Sequence, residues 1–458
     1  YTEVSSTKLT VRLTMAFASA FATLATPAHA QAPGLPADFA RLNEAQRTAV
    51  TLPMTKHAVV LAGAGTGKTS TLVERAAWLV EQGVPPKDIL LATFTRAAAD
   101  EMQTRLRNRL GARCPKTIGT LHSIALSLSG GFQGLGVQLI EDDALATLVE
   151  TLAQDYPAAE GLTPKELILQ IGRLREERVL HHPLYALAEQ LKAKVDELGL
   201  IDFTGLLELA TTRDLPTFRH LLVDEAQDLT AAQLALIAKL SGPRTVRYYV
   251  GDDDQSIYQF RGAFAGALGG LMHEGATKVC LTENYRCGAR ILDAANNLIH
   301  YNTGRFEKTL VASSGRTGEV VYHDAATTDD EQRFVAQWLA EAQAAGKSLT
   351  VLSRTRALLE PYSNTPGIRV ASLHESKGLE WEWVILLGLE ENQLPHRMSL
   401  DIHEERRLAY VGVTRAKERL AIVYTAQRRQ RQKRSRFWTE TQVFPEAPAR
   451  LIDEIPLW

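Results

Sequence analysis

Residues Ala62, Gly63, Ala64, Gly65, Thr66, Gly67, Lys68 and Thr69 follow directly on the apolar run Ala58-Val59-Val60-Leu61. Glycine at three of these places lets successive backbone N–H groups turn inward on an anion. Lys68 adds a point charge suited to the outer phosphates of a nucleotide, and the Thr69 hydroxyl suits Mg²⁺. A glycine-rich turn also occurs in ordinary strand–helix connections. The ordered set of apolar strand, Gly-Lys-Thr and helix-like run is what points to phosphate. A second cluster is Leu221-Leu222-Val223-Asp224-Glu225-Ala226-Gln227-Asp228. Adjacent strand residues face opposite sides, so two neighbouring carboxylates serve one site only where the strand ends and the chain turns. Asp224 there suits a metal ion bridging phosphates, and Glu225 suits a base that orients and deprotonates water. The competing reading, a solvated acidic loop, sits poorly after so apolar a strand.

Elements must hold these residues. Apolar runs at 57–62, 89–94, 221–224, 246–250, 349–353, 384–389 and 420–424 read as buried parallel strands, with helix-like segments between them. Polar residues close several of the runs, at the strand ends where open α/β sheets bind ligands. Residues 127–217 differ. Leu145, Leu148 and Leu152, then Leu167, Ile171 and Leu174, then Leu187, Leu191 and Val195 recur at helical spacing. That stretch reads as a helical insertion.

The chain has 458 residues, with 45% hydrophobic and 23% charged content, an ordinary globular composition. Lys+Arg is 51 against Asp+Glu 53, a formal charge of −2. A uniformly basic nucleic-acid coat is thereby excluded, and any such binding must use local grooves. Cys114, Cys280 and Cys287 have neither C-x-x-C spacing nor a histidine cluster, so they frame no disulfide scaffold or zinc site. Residues 1–35 carry Lys8 and Arg12, a small apolar stretch from Met15 to Ala28, and Ala28-His29-Ala30. The pattern resembles a secretory signal. The chain opens on Tyr1, and a disordered or mis-started leader on a cytoplasmic protein is the reading preferred over a working signal.

At this point a resemblance emerges. The chain resembles superfamily 1 DNA helicases of the UvrD/Rep type, with the motifs in family order across residues 38 to 438. Leu42-Asn43-Glu44-Ala45-Gln46-Arg47 is similar to the adenine-reading Q motif. Thr93-Phe94-Thr95-Arg96 resembles motif Ia, and Thr120-Leu121-His122-Ser123 resembles Ib. Gly251-Asp252-Asp253-Asp254-Gln255-Ser256-Ile257-Tyr258 resembles motif III, Asn284-Tyr285-Arg286 motif IV, His374-Glu375-Ser376-Lys377-Gly378-Leu379-Glu380 motif V, and Tyr410-Val411-Gly412-Val413-Thr414-Arg415 motif VI. Ser435-Arg436-Phe437 is similar to a closing element of the family.

The resemblance implies two RecA-like parallel-sheet domains. Domain 1A is expected at 36–126 and 218–279, a helical insertion 1B at 127–217, and domain 2A at 280–458. It implies ATP and Mg²⁺ as ligands, with ATP hydrolysed where the two domains meet. Lys68, Glu225, Gln255, Arg286 and Arg415 are expected to carry catalysis. Gln46, Ala62 to Ser70, Tyr285 and Glu380 are expected to hold the nucleotide, and Thr69 and Asp224 the metal. Single-stranded nucleic acid needs aromatic faces and cations. Phe94, Arg96, His122, Tyr258, Phe260, Arg261, His374 and Arg436 stand in the motifs that supply them. Phe94 and Tyr258 could instead be core residues, with base stacking preferred, and His122 suits a capped core position as well as DNA. The basic run from Arg428 to Arg436 suits either solvent or a DNA backbone, with DNA preferred.

The departures are specific. Ala62 stands where the phosphate loop opens on Gly. Ser70 and Arg96 replace the usual Arg and Asn, and Phe260 a usual Trp. The family's 2B domain falls between motifs IV and V, and the stretch from Asn284 to His374 is too short to hold it. The expected function is an ATP-dependent helicase moving 3′ to 5′ on single strands or at junctions. The alternative is a DNA-dependent ATPase subunit that needs a partner nuclease or loader.

Overall fold

The computed structural model describes residues 41–177, 179, 181–258, 266–397, 399, 401–428 and 431–442. The leader therefore lies outside the described residues, as do Phe260 and Arg261. Among the described residues no helix is long and apolar enough to cross a membrane.

The chain divides into two compact units. The first takes residues up to Ala62, then Lys68–Asp253 and Tyr258–Leu281, and the second takes Gly63–Gly67, Asp254–Ile257 and the chain from Thr282 onward. The main sheet of the first unit, among the described residues, has six strands: β1 Ala58–Ala62, β2 Ile89–Thr93, β3 Thr117–Thr120, β4 Phe218–Val223, β5 Ser241–Gly251 and β6 Thr277–Leu281. They form one sheet in the order β3-β2-β4-β5-β1-β6, paired in parallel throughout. The sequences AVVLA of β1 and ILLAT of β2 are buried along their whole length, as a sheet covered on both faces requires.

Helix Lys68–Glu81 starts at the C-terminal end of β1. It buries Leu72, Val73, Ala76, Leu79 and Val80 in a cluster that includes Val60, Leu91, Leu222 and Val250. Its buried Arg75 lies over the rings of Trp78 and Tyr248 at 4.8 and 5.3 Å, a favourable use of a charge away from water. The same guanidinium donates to the carbonyls of Val50 (2.8 Å) and Leu52 (2.5 Å) at the end of helix Glu44–Val50. That bond ties the helix carrying Gln46 to the helix that begins at Lys68.

Helices Asp142–Ala153, Pro164–Glu177 and Tyr185–Glu197 belong to the first unit and have a core of their own. Leu145, Leu167, Ile171, Leu174, Leu187, Leu191 and Val195 are buried in it, with Leu148 and Leu152 packed against it, as the helical spacing predicts. A short parallel pair, Gln138–Leu139 with Leu200–Ile201, closes this region. Asp202 then caps helix Phe203–Thr212 by accepting from the Gly205 N–H at 2.7 Å.

The second unit contains β7 Glu319–Thr327, β8 Leu349–Ser353, β9 Ile368–Ser372, β10 Trp381–Leu387 and β11 Ala416–Gln427 in the order β7-β11-β10-β8-β9, again all parallel. Helix Thr328–Ala344 packs Val335, Trp338 and Ala342 against Val351, Ile385 and Val423. Both units are thus RecA-like α/β domains.

A half-buried and a buried histidine give the first unit an acid limit. His57 Nδ1 accepts the Arg247 N–H at 3.0 Å, so it must stay unprotonated. Burial, then the Arg247 charge, holds its pKa down to about 4. His220 in β4 is buried, and burial followed by Arg75 and Arg219 holds it at about 4 as well. Both stay neutral when folded, while the unfolded chain takes up their protons from about pH 6.5 downward. Their stabilisation is complete above that pH and is lost as pH falls toward 4. Each proton steepens the loss by at most about 1.4 kcal/mol per pH unit. Urea midpoints from pH 7.5 to 4 should fall, and His57→Gln/His220→Gln should flatten the slope. An unchanged slope in the double variant would count against this assignment.

Candidate nucleotide and nucleic-acid site

The phosphate loop is shaped by its glycines. Gly65 and Gly67 have φ of 66° and 83°, a region open mainly to glycine. A Cβ at Gly65 would lie 2.7 Å from both Asn284 Nδ2 and Arg286 Cβ within the second unit. Asn284 Nδ2 donates to Ala64 O (2.6 Å), and the Tyr285 N–H donates to Gly65 O (2.9 Å). Thr66 is buried and donates from its hydroxyl to Gly63 O at 2.8 Å. In the first unit Lys68 opens its helix, and its Nζ donates to Ala62 O at 3.2 Å.

The acid pair sits at the end of β4. Thr69 Oγ1 donates to Asp224 Oδ2 at 2.9 Å, and the Asp224 N–H donates to Ala92 O at 2.8 Å. Asp224 is buried. Burial, then the negative charge of Glu225, pushes its carboxyl well above the usual carboxylate range, against the pull of Thr69 and Lys68. A carboxylate so disfavoured, bonded to a hydroxyl, is a hard-oxygen donor pair that a divalent cation would stabilise, and Mg²⁺ fits it. Glu225 itself has φ 50° and ψ 40°, the left-handed region that non-glycine residues rarely occupy. That turn breaks the strand alternation, as the sequence reading requires. Gln227 Nε2 donates to Glu225 Oε2 at 2.6 Å, while its Oε1 accepts the Asp252 N–H at 3.0 Å. Gln227 therefore orients Glu225, a role missed in the sequence. Its only signal there is a long amide two residues after the carboxylate.

In the second unit Arg415 is buried at 1% exposure. Its guanidinium donates to Val411 O (2.8 Å), Leu379 O (3.1 Å) and Gln255 Oε1 (3.1 Å). Lys377 Nζ holds the same glutamine by its backbone O at 2.8 Å. Arg286 Nε donates to Glu380 Oε2 at 2.6 Å, and Lys417 Nζ pairs with Glu380 Oε1 at 2.7 Å. Burial would raise the Glu380 carboxyl, but Lys417 and Arg286 outweigh it and hold the pKa at about 2. The Tyr285 ring is exposed, and its hydroxyl donates to Glu283 Oε2 at 2.8 Å.

Gln46 and Ser70 have local partners. Gln46 closes a capping box, with its N–H on Asn43 Oδ1 (2.7 Å) and its Oε1 accepting the Asn43 N–H (3.1 Å). Ser70 Oγ accepts from Arg105 at 3.1 Å, a cation brought in by helix Arg96–Leu110.

The candidate nucleic-acid residues divide by unit. In the first, Phe94 stacks on Tyr258 with centroids 5.1 Å apart and planes 14° from parallel. His122 meets the edge of Phe203 at 5.8 Å, and burial lowers its pKa. A cavity of about 340 Å³ is lined by Phe94, His122, Tyr258, Asp224 and Glu225 among others, so the aromatic pair and the acid pair share one space. Arg96 is exposed at the start of its helix. In the second unit His374 lies in the turn after β9, and Arg436 is exposed at the start of helix Arg436–Glu440.

The basic run is corrected in part. Arg428 pairs with the buried carboxylates of Glu331 and Glu390. Arg434 pairs with Asp324 and lies over the rings of Tyr424 and Trp438. Phe437 and Trp438 are buried. Arg428 thus neutralises two buried acids, whereas Arg431, Lys433, Arg434 and Arg436 remain exposed.

Residues 42–133 and 138–271 match the UvrD/REP helicase N-terminal domain. Residues 279–365 and 357–427 match the UvrD-like helicase C-terminal domain. The chain belongs to the UvrD-like helicase family. It is 33% identical over 351 residues to DNA helicase II of Escherichia coli (strain K12), covering 69% of this chain and 48% of that protein. DNA helicase IV of the same strain is 29% identical over 474 aligned residues, 84% of this chain and 68% of its own. ATP-dependent DNA helicase UvrD1 of Mycobacterium tuberculosis (strain ATCC 25618 / H37Rv) is 32% identical over 352 residues, 68% and 45% respectively. The chain spans about half the length of several of these UvrD-like relatives, 45% and 48% for two of them.

Proposed function

We propose that this UvrD-like chain is an ATP- and Mg²⁺-dependent DNA helicase that translocates 3′ to 5′ on single-stranded DNA, hydrolysing ATP where its two RecA-like domains meet. One observation carries the reading: a buried Asp224 bonded to Thr69, beside a Glu225 turned out of strand geometry and oriented by Gln227.

In this reading Lys68 and the N–H groups of Gly63 to Gly67 bind the β- and γ-phosphates, and Thr69 and Asp224 hold the metal. Bound Mg²⁺ neutralises charge on the phosphate oxygens. Glu225 accepts the proton of the attacking water while Gln227 keeps its oxygen aimed. Arg286 and Arg415 oppose the charge that spreads over the γ-phosphoryl group. Gln46, Ser70 and Tyr285 surround the base, and Glu380 accepts from the ribose after releasing its cations. Phe94 and Tyr258 stack nucleobases, with Arg96, His122, Phe260, Arg261, His374 and Arg436 on the strand. Gln255, held by Arg415 and Lys377, links nucleotide state to that track.

Strand displacement on tailed duplexes tests polarity. Unwinding is expected with a 3′ tail and not with a 5′ tail, and the reverse pattern would remove the assignment. Affinity for single strands should also fall log-linearly with salt, with a slope of about −0.7 per phosphate neutralised. A flat response would argue against tracking along the backbone.

A second reading, a DNA-dependent ATPase subunit that unwinds little without a partner nuclease or loader, draws on one observation. The described elements between Asn284 and His374 are the helices and strands of the second sheet and its short Val311–Ala312 pair, with no further domain among them.

A further inference from the structure

Arg286 projects from a turn that a separate loop holds in place. Within the second unit, residues 311–318 run alongside 282–290. The Ser313 N–H donates to Asn284 O (2.7 Å), the Ala289 N–H to Arg316 O (2.9 Å) and the Arg290 N–H to Thr317 O (2.8 Å). Ser314 Oγ donates to Cys287 O at 2.7 Å. The approach is close enough that a Cβ on Gly288 would meet Gly318 Cα at 2.3 Å.

At the centre of this bracket is Arg316. Its guanidinium donates to Tyr285 O at 3.1 Å and also to Arg286 O. These carbonyls belong to the two peptide planes that flank the Arg286 Cα. Fixing the first plane restrains φ of Arg286, and fixing the second restrains ψ. The Arg286 side chain then leaves the backbone in one direction, toward Glu380 and Thr414 O. Meanwhile Arg316 Nε is buried with no hydrogen-bond partner among the described residues. A side chain that only filled the loop would avoid that penalty.

We propose that Arg316 is a positioning residue for Arg286, holding the backbone from which that guanidinium reaches the transferring phosphoryl group. The inference rests on the reading of Arg286 as a transition-state cation. Misplacement by about 1 Å is enough to lose about 10²-fold in rate, so restraint of both flanking peptides has a kinetic consequence.

The test is a double-mutant cycle on the full chain, with DNA-stimulated ATP turnover as readout and thermal midpoints alongside. Arg316→Met should lower kcat about tenfold to a hundredfold. Arg316→Lys, which keeps the charge and one donor group, should recover part of the loss. Arg286→Ala/Arg316→Met should turn over no more slowly than Arg286→Ala alone, because the effect of Arg316 passes through Arg286. Asn296→Ala loosens the neighbouring segment at Leu310, where Asn296 Nδ2 donates to Leu310 O at 2.9 Å, and should stay near wild type. An Arg316→Met enzyme near wild type would overturn the proposal. So would a loss that persists undiminished in the Arg286→Ala background, or an equal loss in Asn296→Ala. If Arg286→Ala itself turns over normally, the reading of Arg286 fails, and the role of Arg316 fails with it.

Discussion

Glu225→Gln lowers DNA-stimulated ATP turnover by about 10²–10⁴-fold, the range of a general base removed from a reaction, and leaves nucleotide binding in place. The reasoning is geometric. Glu225 occupies a left-handed turn immediately after β4, and Gln227 holds one of its oxygens at 2.6 Å. Strained backbone of this kind costs of order 1–3 kcal/mol and persists where the surroundings enforce it. Glutamine preserves the shape and still meets the Gln227 amide, but it cannot accept a proton. The change leaves Lys68 and the loop N–H groups, the phosphate contacts of the proposed site, unaltered, so a fluorescent nucleotide should still bind. Lys68→Ala provides the contrast, with binding and turnover lost together. Turnover by Glu225→Gln near that of the parent would remove Glu225 from the mechanism.

Arg415→Ala should lower kcat about 10³-fold or more, the contribution of an arginine that stabilises phosphoryl-transfer charge. The side chain is buried, and its donors end on Val411 O, Leu379 O and Gln255 Oε1. Such a guanidinium is held in one place before the reaction begins, which is the requirement for electrostatic stabilisation. Arg415→Lys retains the charge but cannot reproduce the planar fork, and it too should be slow. Alanine leaves buried acceptors unpaired, at about 1–3 kcal/mol each, so stability must be followed. A folded Arg415→Lys protein with an undiminished kcat would contradict the role. The expected outcome is loss of kcat in both variants, with a lowered thermal midpoint only in Arg415→Ala.

The sequence showed the central strands more clearly than the edges. β1, β2, β4, β5, β8, β10 and β11 stand out as apolar runs because neighbouring strands and covering helices bury both faces. β3, β6 and β9 were not singled out, and all three are edge strands. TIGT, TKVCL and IRVAS carry half-exposed patterns, since an edge is covered on fewer sides. Chemistry was legible where the residue type is itself the signal, as in Gly-Lys-Thr and Asp224-Glu225. It was not legible where a role depends on a distant partner. Gln227 spans Glu225 and Asp252, Arg105 reaches Ser70 across two helices, and Arg316 grips the Tyr285–Arg286 turn only once the loop is folded. The ion pairing of Arg428 was hidden for the same reason. Its buried counter-charges, Glu331 and Glu390, lie far away in the chain.

The most direct measurement is the rate of ATP hydrolysis by the purified chain with Mg²⁺, in the absence of DNA and with saturating single-stranded oligonucleotide. A several-fold or greater rise on adding the strand is expected, because the acid pair and the aromatic pair line one cavity. Hydrolysis at the same rate with and without the strand would contradict a DNA-driven motor.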